Sequence, residues 1–133
     1  MILLTPSQRA RLLANGRVPD ADHIPVVKFF NPFGQGTWLA TELDEDGDTL
    51  FGLADLGYPE LGSWSLSEMV AIRLPFGMGI EQDLHFEGLF PISVWAEAAR
   101  AEGSISAAER VLYARAQREG GARFGRTGLG GCP

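Results

Sequence analysis

Hydrophobic and polar positions along the chain mark four helices and a small set of strands. Thr5 can cap the first helix, Pro6 suits its first position, and Gln8 completes a capping box. Leu12 and Leu13 give that helix apolar contacts, and Asn15-Gly16 is a C-terminal stop. Residues 17 to 25 carry Pro19 and Pro25 and read as a surface connection. Val26 to Phe30 is a short β-rich run, and Asn31 to Gly36 a turn-forming loop. Thr37 to Leu43 and Thr49 to Leu53 flank Asp44-Glu45-Asp46-Gly47-Asp48, the pattern of a hairpin with Asp46-Gly47 at its tip. Gly57, Pro59 and Gly62 predict another break. Ser65-Leu66-Ser67-Glu68 is a second capping box, opening a short helix that ends near Arg73. Pro75, Gly77 and Gly79 make the next loop, and Ile80 to Phe86 alternates as a strand does. Ser93 predicts the cap of a helix that stops at Gly103. Ser106-Ala107-Ala108-Glu109 predicts a helix that stops at Gly120-Gly121.

Together these elements predict an α+β fold. A small, mostly antiparallel sheet carries an N-terminal helix, an inserted helix and two C-terminal helices. Residues 1–119 read as one domain, and 120–133 as a Gly/Arg-rich disordered tail. Composition agrees: 133 residues, 45% hydrophobic and 21% charged, suit one packed core rather than a disordered chain. No apolar run approaches the roughly 20 residues of a membrane helix. Met1 to Pro6 lacks a basic n-region, so a cytoplasmic location is expected. The single cysteine, Cys132, rules out an internal disulfide or a cysteine-built zinc site.

The formal charge of -6 argues against a domain-wide basic footprint for duplex DNA. It is unevenly spread. Residues 1–30 hold Arg9, Arg11, Arg17 and Lys28 against Asp20 and Asp22, while residues 91–133 hold six arginines against four glutamates. Residues 31–90 hold eleven acids and one base, Arg73, so the middle of the chain is strongly acidic between weakly basic ends. Such a region attracts cations and basic protein surfaces and repels phosphate backbones; it also serves solubility.

Two acidic segments are candidates for chemistry. Asp44, Glu45, Asp46 and Asp48 offer hard oxygens, but the EF-hand spacing fails: Gly47 is fourth from Asp44, and the twelfth position is Asp55. A solvated hairpin tip explains the same residues. In a strand from Ile80 to Glu87, the side chains of Glu81, Asp83, His85 and Glu87 share one face. That row suits a metal or an acid paired with an imidazole base, and equally the wet face of an antiparallel strand. Trp64, between breakers and near Glu60, is a candidate partner contact or packs under the capped helix. Gly-x-Ser-x-Gly, P-loop and dinucleotide fingerprints are absent, and no cofactor is expected. Arg123 and Arg126 are few for a nucleic-acid arm.

Several blocks in fixed order carry a resemblance: Thr37 to Asp44, Phe51 to Gly57, Pro59 to Gly62, Ser65 to Glu68 and Glu81 to Phe86. They resemble domain-of-unknown-function family twenty-nine fifty-eight, found on bacterial plasmids and integrative conjugative elements. The resemblance spans roughly residues 4 to 105. It implies a mobile-element setting and brings no activity with it. The leading expectation is a non-enzymatic interaction protein that meets a basic protein surface through Asp44, Glu45, Asp46, Asp48, Asp55, Glu60, Trp64, Glu81, Asp83 and His85, in its sharp form an anti-defence inhibitor. The alternatives are a metal-binding or hydrolytic enzyme using the acidic row, and a nucleic-acid accessory protein using the basic ends.

Overall fold

The strand expected at Thr37–Leu43 lies at the centre of a five-stranded antiparallel sheet. The computed structural model describes residues 3–127. Strands β1 (Val27–Phe30), β2 (Thr37–Leu43), β3 (Thr49–Asp55), β4 (Pro59–Ser65) and β5 (Glu81–Gln82) stand in the order β4-β3-β2-β1-β5. Helices α1 (Pro6–Gly16), α2 (Leu66–Ala71), α3 (Ile92–Glu102) and α4 (Ile105–Thr127) complete the α+β fold that the pattern predicts.

The sheet is covered on both faces. Leu12 of α1 and Met69 of α2 close over Val27, Phe29, Trp38, Ala40, Leu43 and Leu50. Trp95 and Ala99 of α3, with Ile105, Ala108 and Leu112 of α4, close over Leu39 and Leu53. Strict alternation would put Leu43 on the face of Leu39. A β-bulge prevents this: Ala40 pairs with Gly52 and Glu42 with Phe51, leaving Thr41 as the extra residue. The Thr41 hydroxyl is buried and donates to the Phe51 carbonyl at 3.1 Å. The bulge returns Leu43 to the α1/α2 core and turns Glu42 to the other face.

Four elements differ from the sequence pattern. The break expected at Gly57, Pro59 and Gly62 contains strand β4, a sheet edge, where Pro and Gly are tolerated. Trp64 is therefore on a strand opposite Leu50, half-buried against the α1/α2 core. The strand expected over Ile80–Phe86 shrinks to Glu81–Gln82, because the Asp83 carboxylate accepts the His85 N–H at 2.9 Å and turns the chain. Ser93 lies inside α3 rather than capping it. Asp22 accepts the Ser93 backbone N–H at 3.1 Å and its hydroxyl proton, so the cap comes from the loop after α1. Helix α4 begins earlier than its capping box implies: Ser104 accepts from Ala107 N–H, and the Glu109 side chain goes to Lys28 instead. It also continues through Gly120-Gly121 to Thr127 rather than stopping there. Residues 128–133 of the expected tail, Cys132 among them, lie outside the described residues.

Candidate functional site

The acidic middle of the chain divides into separate groups. The largest sits at the β2–β3 turn. Asp46 accepts from Asp48 N–H and Thr49 N–H, both at 2.8 Å, and from the Thr49 hydroxyl at 2.6 Å. Asp48 accepts from the Ser65 hydroxyl at 2.7 Å and Ser67 N–H at 2.8 Å, which ties the turn to the start of α2. Ser65 in turn caps α2 through Glu68 N–H, which is half of the expected capping box. Gly47, at φ +72, takes the left-handed turn position, and Arg9 of α1 donates to its carbonyl at 2.9 Å. These hydrogen bonds hold the Asp46 and Asp48 carboxyls below the usual carboxylate range. Asp44, Glu45 and Glu68 stand exposed beside them.

The other expected site residues are elsewhere. Asp55 is at the far end of β3, six residues or roughly 20 Å along the strand. Its carboxylate accepts from Gly57 N–H at 3.0 Å and from Ile105 N–H at 3.1 Å, so it caps α4. Glu60 is exposed on β4 opposite Ala54. Glu81 pairs with Phe30 on the opposite side of the sheet. Asp83 lies 3.5 Å from Lys28 Nζ, and His85 is exposed. The alternating row of Glu81, Asp83, His85 and Glu87 therefore does not form as a strand face. Among the described residues no three His, Cys, Asp or Glu side chains are grouped to hold a metal ion.

Two depressions bear on binding. One of about 440 Å³, beside β5, is lined by Lys28, Phe30, Gln82, Asp83, Leu84 and His85. Another, of about 310 Å³, contains Glu42, Phe51 and Ser63. The bulge at Thr41 puts Glu42 there, and burial pushes its carboxyl up while the nearby His23 acts the other way. Sequence reasoning missed Glu42 and Lys28. The visible signal for Glu42 was the broken alternation at Ala40-Thr41-Glu42.

Residues 3–106 match the family model described as "Protein of unknown function (DUF2958)". The chain belongs to that family. No curated protein and no solved structure matches it. Among the described residues no helix is long and apolar enough to cross a membrane.

Proposed function

We propose that this chain is a non-enzymatic interaction protein that docks the β2–β3 turn and the start of α2 on a basic surface of another protein. The observation that carries the reading is a rigid display of charge. Asp46 and Asp48 are engaged in fixing the turn, and Asp44, Glu45 and Glu68 stand exposed on it. A surface already ordered loses little conformational entropy on binding. Its charge steers association with a basic partner and opposes phosphate backbones. The reading narrows the expected acidic surface to this corner. Asp55 is spent on a helix cap, and Asp83 lies beside Lys28.

In its sharp form the protein is an anti-defence inhibitor from a plasmid or integrative conjugative element, acting in the cytoplasm on a basic nucleic-acid channel. The test is a pull-down with a panel of defence nucleases at low and high salt. Capture at low salt that is lost at high salt supports the reading. Salt-insensitive capture, or none, overturns it.

A further inference from the structure

Glu42, Phe51 and Ser63 are successive cross-strand partners on β2, β3 and β4. They line the depression of about 310 Å³ together with Asp44 and with Gly16 and Pro19 from the end of α1 and the loop after it. Phe51 alternates with Leu53, so the row lies on the sheet face that α3 and α4 cover. Those helices do not close over this end of it. Phe51 is half-buried and Ser63 exposed, and among the described residues the Phe51 ring joins neither core.

The bulge brings Glu42 here, and it is fixed on two sides. Asn15 of α1 donates to the Thr41 carbonyl at 2.9 Å, and the Thr41 hydroxyl donates to that of Phe51 at 3.1 Å. Bulges recur where a side chain is re-aimed beside a site. Within its own chain the Glu42 carboxylate gains nothing from the placement. Among the described residues it has no hydrogen bond or ion pair, and no lysine or arginine lines the depression. His23, a nearby base, donates from Nε2 to the Val18 carbonyl at 2.7 Å. Burial pushes the Glu42 carboxyl up, the sign of a charge left uncompensated. A half-buried carboxylate without a donor costs stability, and a cost of that kind marks a binding site.

We infer that the depression takes the guanidinium of an arginine presented by a protein partner, whose basic character rests on the proposed docking at the adjoining corner. Charge complementarity selects a cation, since Glu42 and Asp44 both line the space. Among the described residues no three ligands are grouped for a metal, so the cation is an organic one. The volume stands at the lower end of ligand sites, about 300 to 1,000 Å³, and suits a single side chain. Phe51 favours arginine over lysine. A planar guanidinium stacks on an aromatic ring, and its fork of donors can reach carboxylates and the Ser63 hydroxyl together. Asp44 belongs to the depression and to the acidic corner alike, so an arginine seated here anchors the partner beside Glu45.

The test is a titration of the full nitrogen-15-labelled chain, followed by two-dimensional NMR, with a capped glycine peptide carrying one central arginine. The amide signals of Glu42, Phe51 and Ser63 should shift and saturate with a Kd of about 1 to 10 mM. The matching lysine peptide should bind about threefold more weakly or worse. The citrulline peptide, a neutral isostere, should not bind. Glu42→Gln should weaken the arginine peptide by about fivefold or more while Asp44, Glu45 and Glu68 stay in place. Phe51→Leu should erase the preference for arginine over lysine, and it serves if Glu42→Gln folds poorly. The inference is overturned by the absence of a saturating shift, by equal binding of the lysine or citrulline peptide, or by unchanged affinity in Glu42→Gln. Salt-sensitive nuclease capture alongside such a result leaves the proposed docking standing. Peptide binding without any capture removes the docking and keeps the arginine site.

Discussion

Lys28 and Glu109 are 81 residues apart in the chain, and Lys28 Nζ donates to Glu109 Oε1 at 2.8 Å. Asp83 Oδ2 lies 3.5 Å from the same nitrogen. The Lys28 side chain is only 12% exposed, so this group joins β1, the turn after β5 and α4 in a poorly solvated place. Its role is to hold α4 and the short edge strand against the sheet.

Lys28→Met should therefore cost about 2 kcal/mol, since it leaves two half-buried carboxylates without their cation. Adding Glu109→Gln should recover part of the loss. Urea unfolding of the two single variants and the double variant measures the coupling; strictly additive losses would dismiss the triad.

Asp55→Ala should destabilise the fold by about 1 kcal/mol, the usual worth of a helix cap. Asp55→Asn, which keeps an acceptor for Ile105 N–H, should lose less. Amide exchange at Ile105 should quicken in the alanine variant before exchange in the sheet does.

Glu42 predicts a pH dependence. Its folded-state pKa is raised by burial, so its contribution is fully present below the ordinary glutamate range and is lost as pH rises through the folded value. Glu42→Gln should raise the melting temperature at pH 7 and leave it unchanged in acid, below that range. Asp46 and Asp48 have the opposite sign, with folded pKa values lowered. Their contribution is present above the ordinary aspartate range and is lost as pH falls through the folded values.

Gly52→Ala should be among the most damaging single-methyl changes in the sheet. The added carbon would meet the Leu39 carbonyl at 1.8 Å, and backbone on the central strand must shift to admit it. A loss of about 3 kcal/mol or more is expected from thermal or urea unfolding.

The parts of the fold that were legible are those whose signals are local. Thr5 and Gln8 form both halves of a capping box, and Asp46-Gly47 turns the hairpin. The parts that were not depend on distant partners. Nothing near Ser93 announces that Asp22 will cap α3, and nothing near Ser106 announces Asp55 at the start of α4. Pro59 and Gly62 read as breakers because propensity ignores whether a strand lies at an edge. The alternation from Ile80 to Phe86 is genuine in the sequence, but an Asp83 side-chain turn outcompetes the strand. The acidic segment was visible as charge. Its division into a turn lock, a helix cap and a lysine partner was not, because each of those roles needs a second residue brought in by the fold.

The corner formed by the β2–β3 turn and the start of α2 is the proposed docking surface. The direct measurement is binding of the wild type and of Asp44→Lys/Glu45→Lys to defence nucleases, read by interferometry from about 0.1 M to about 1 M salt. Both substituted residues are exposed; the Asp44 carboxylate accepts only the adjacent Glu45 N–H at 2.9 Å, and the bonds that tie the turn to Thr49 and the start of α2 come from Asp46 and Asp48. The charge-reversed protein should melt close to the wild type. The predicted result is wild-type affinity that falls steeply with salt and a charge-reversed variant with at least tenfold weaker binding at low salt. Equal binding by both proteins, or affinity indifferent to salt, would contradict the account.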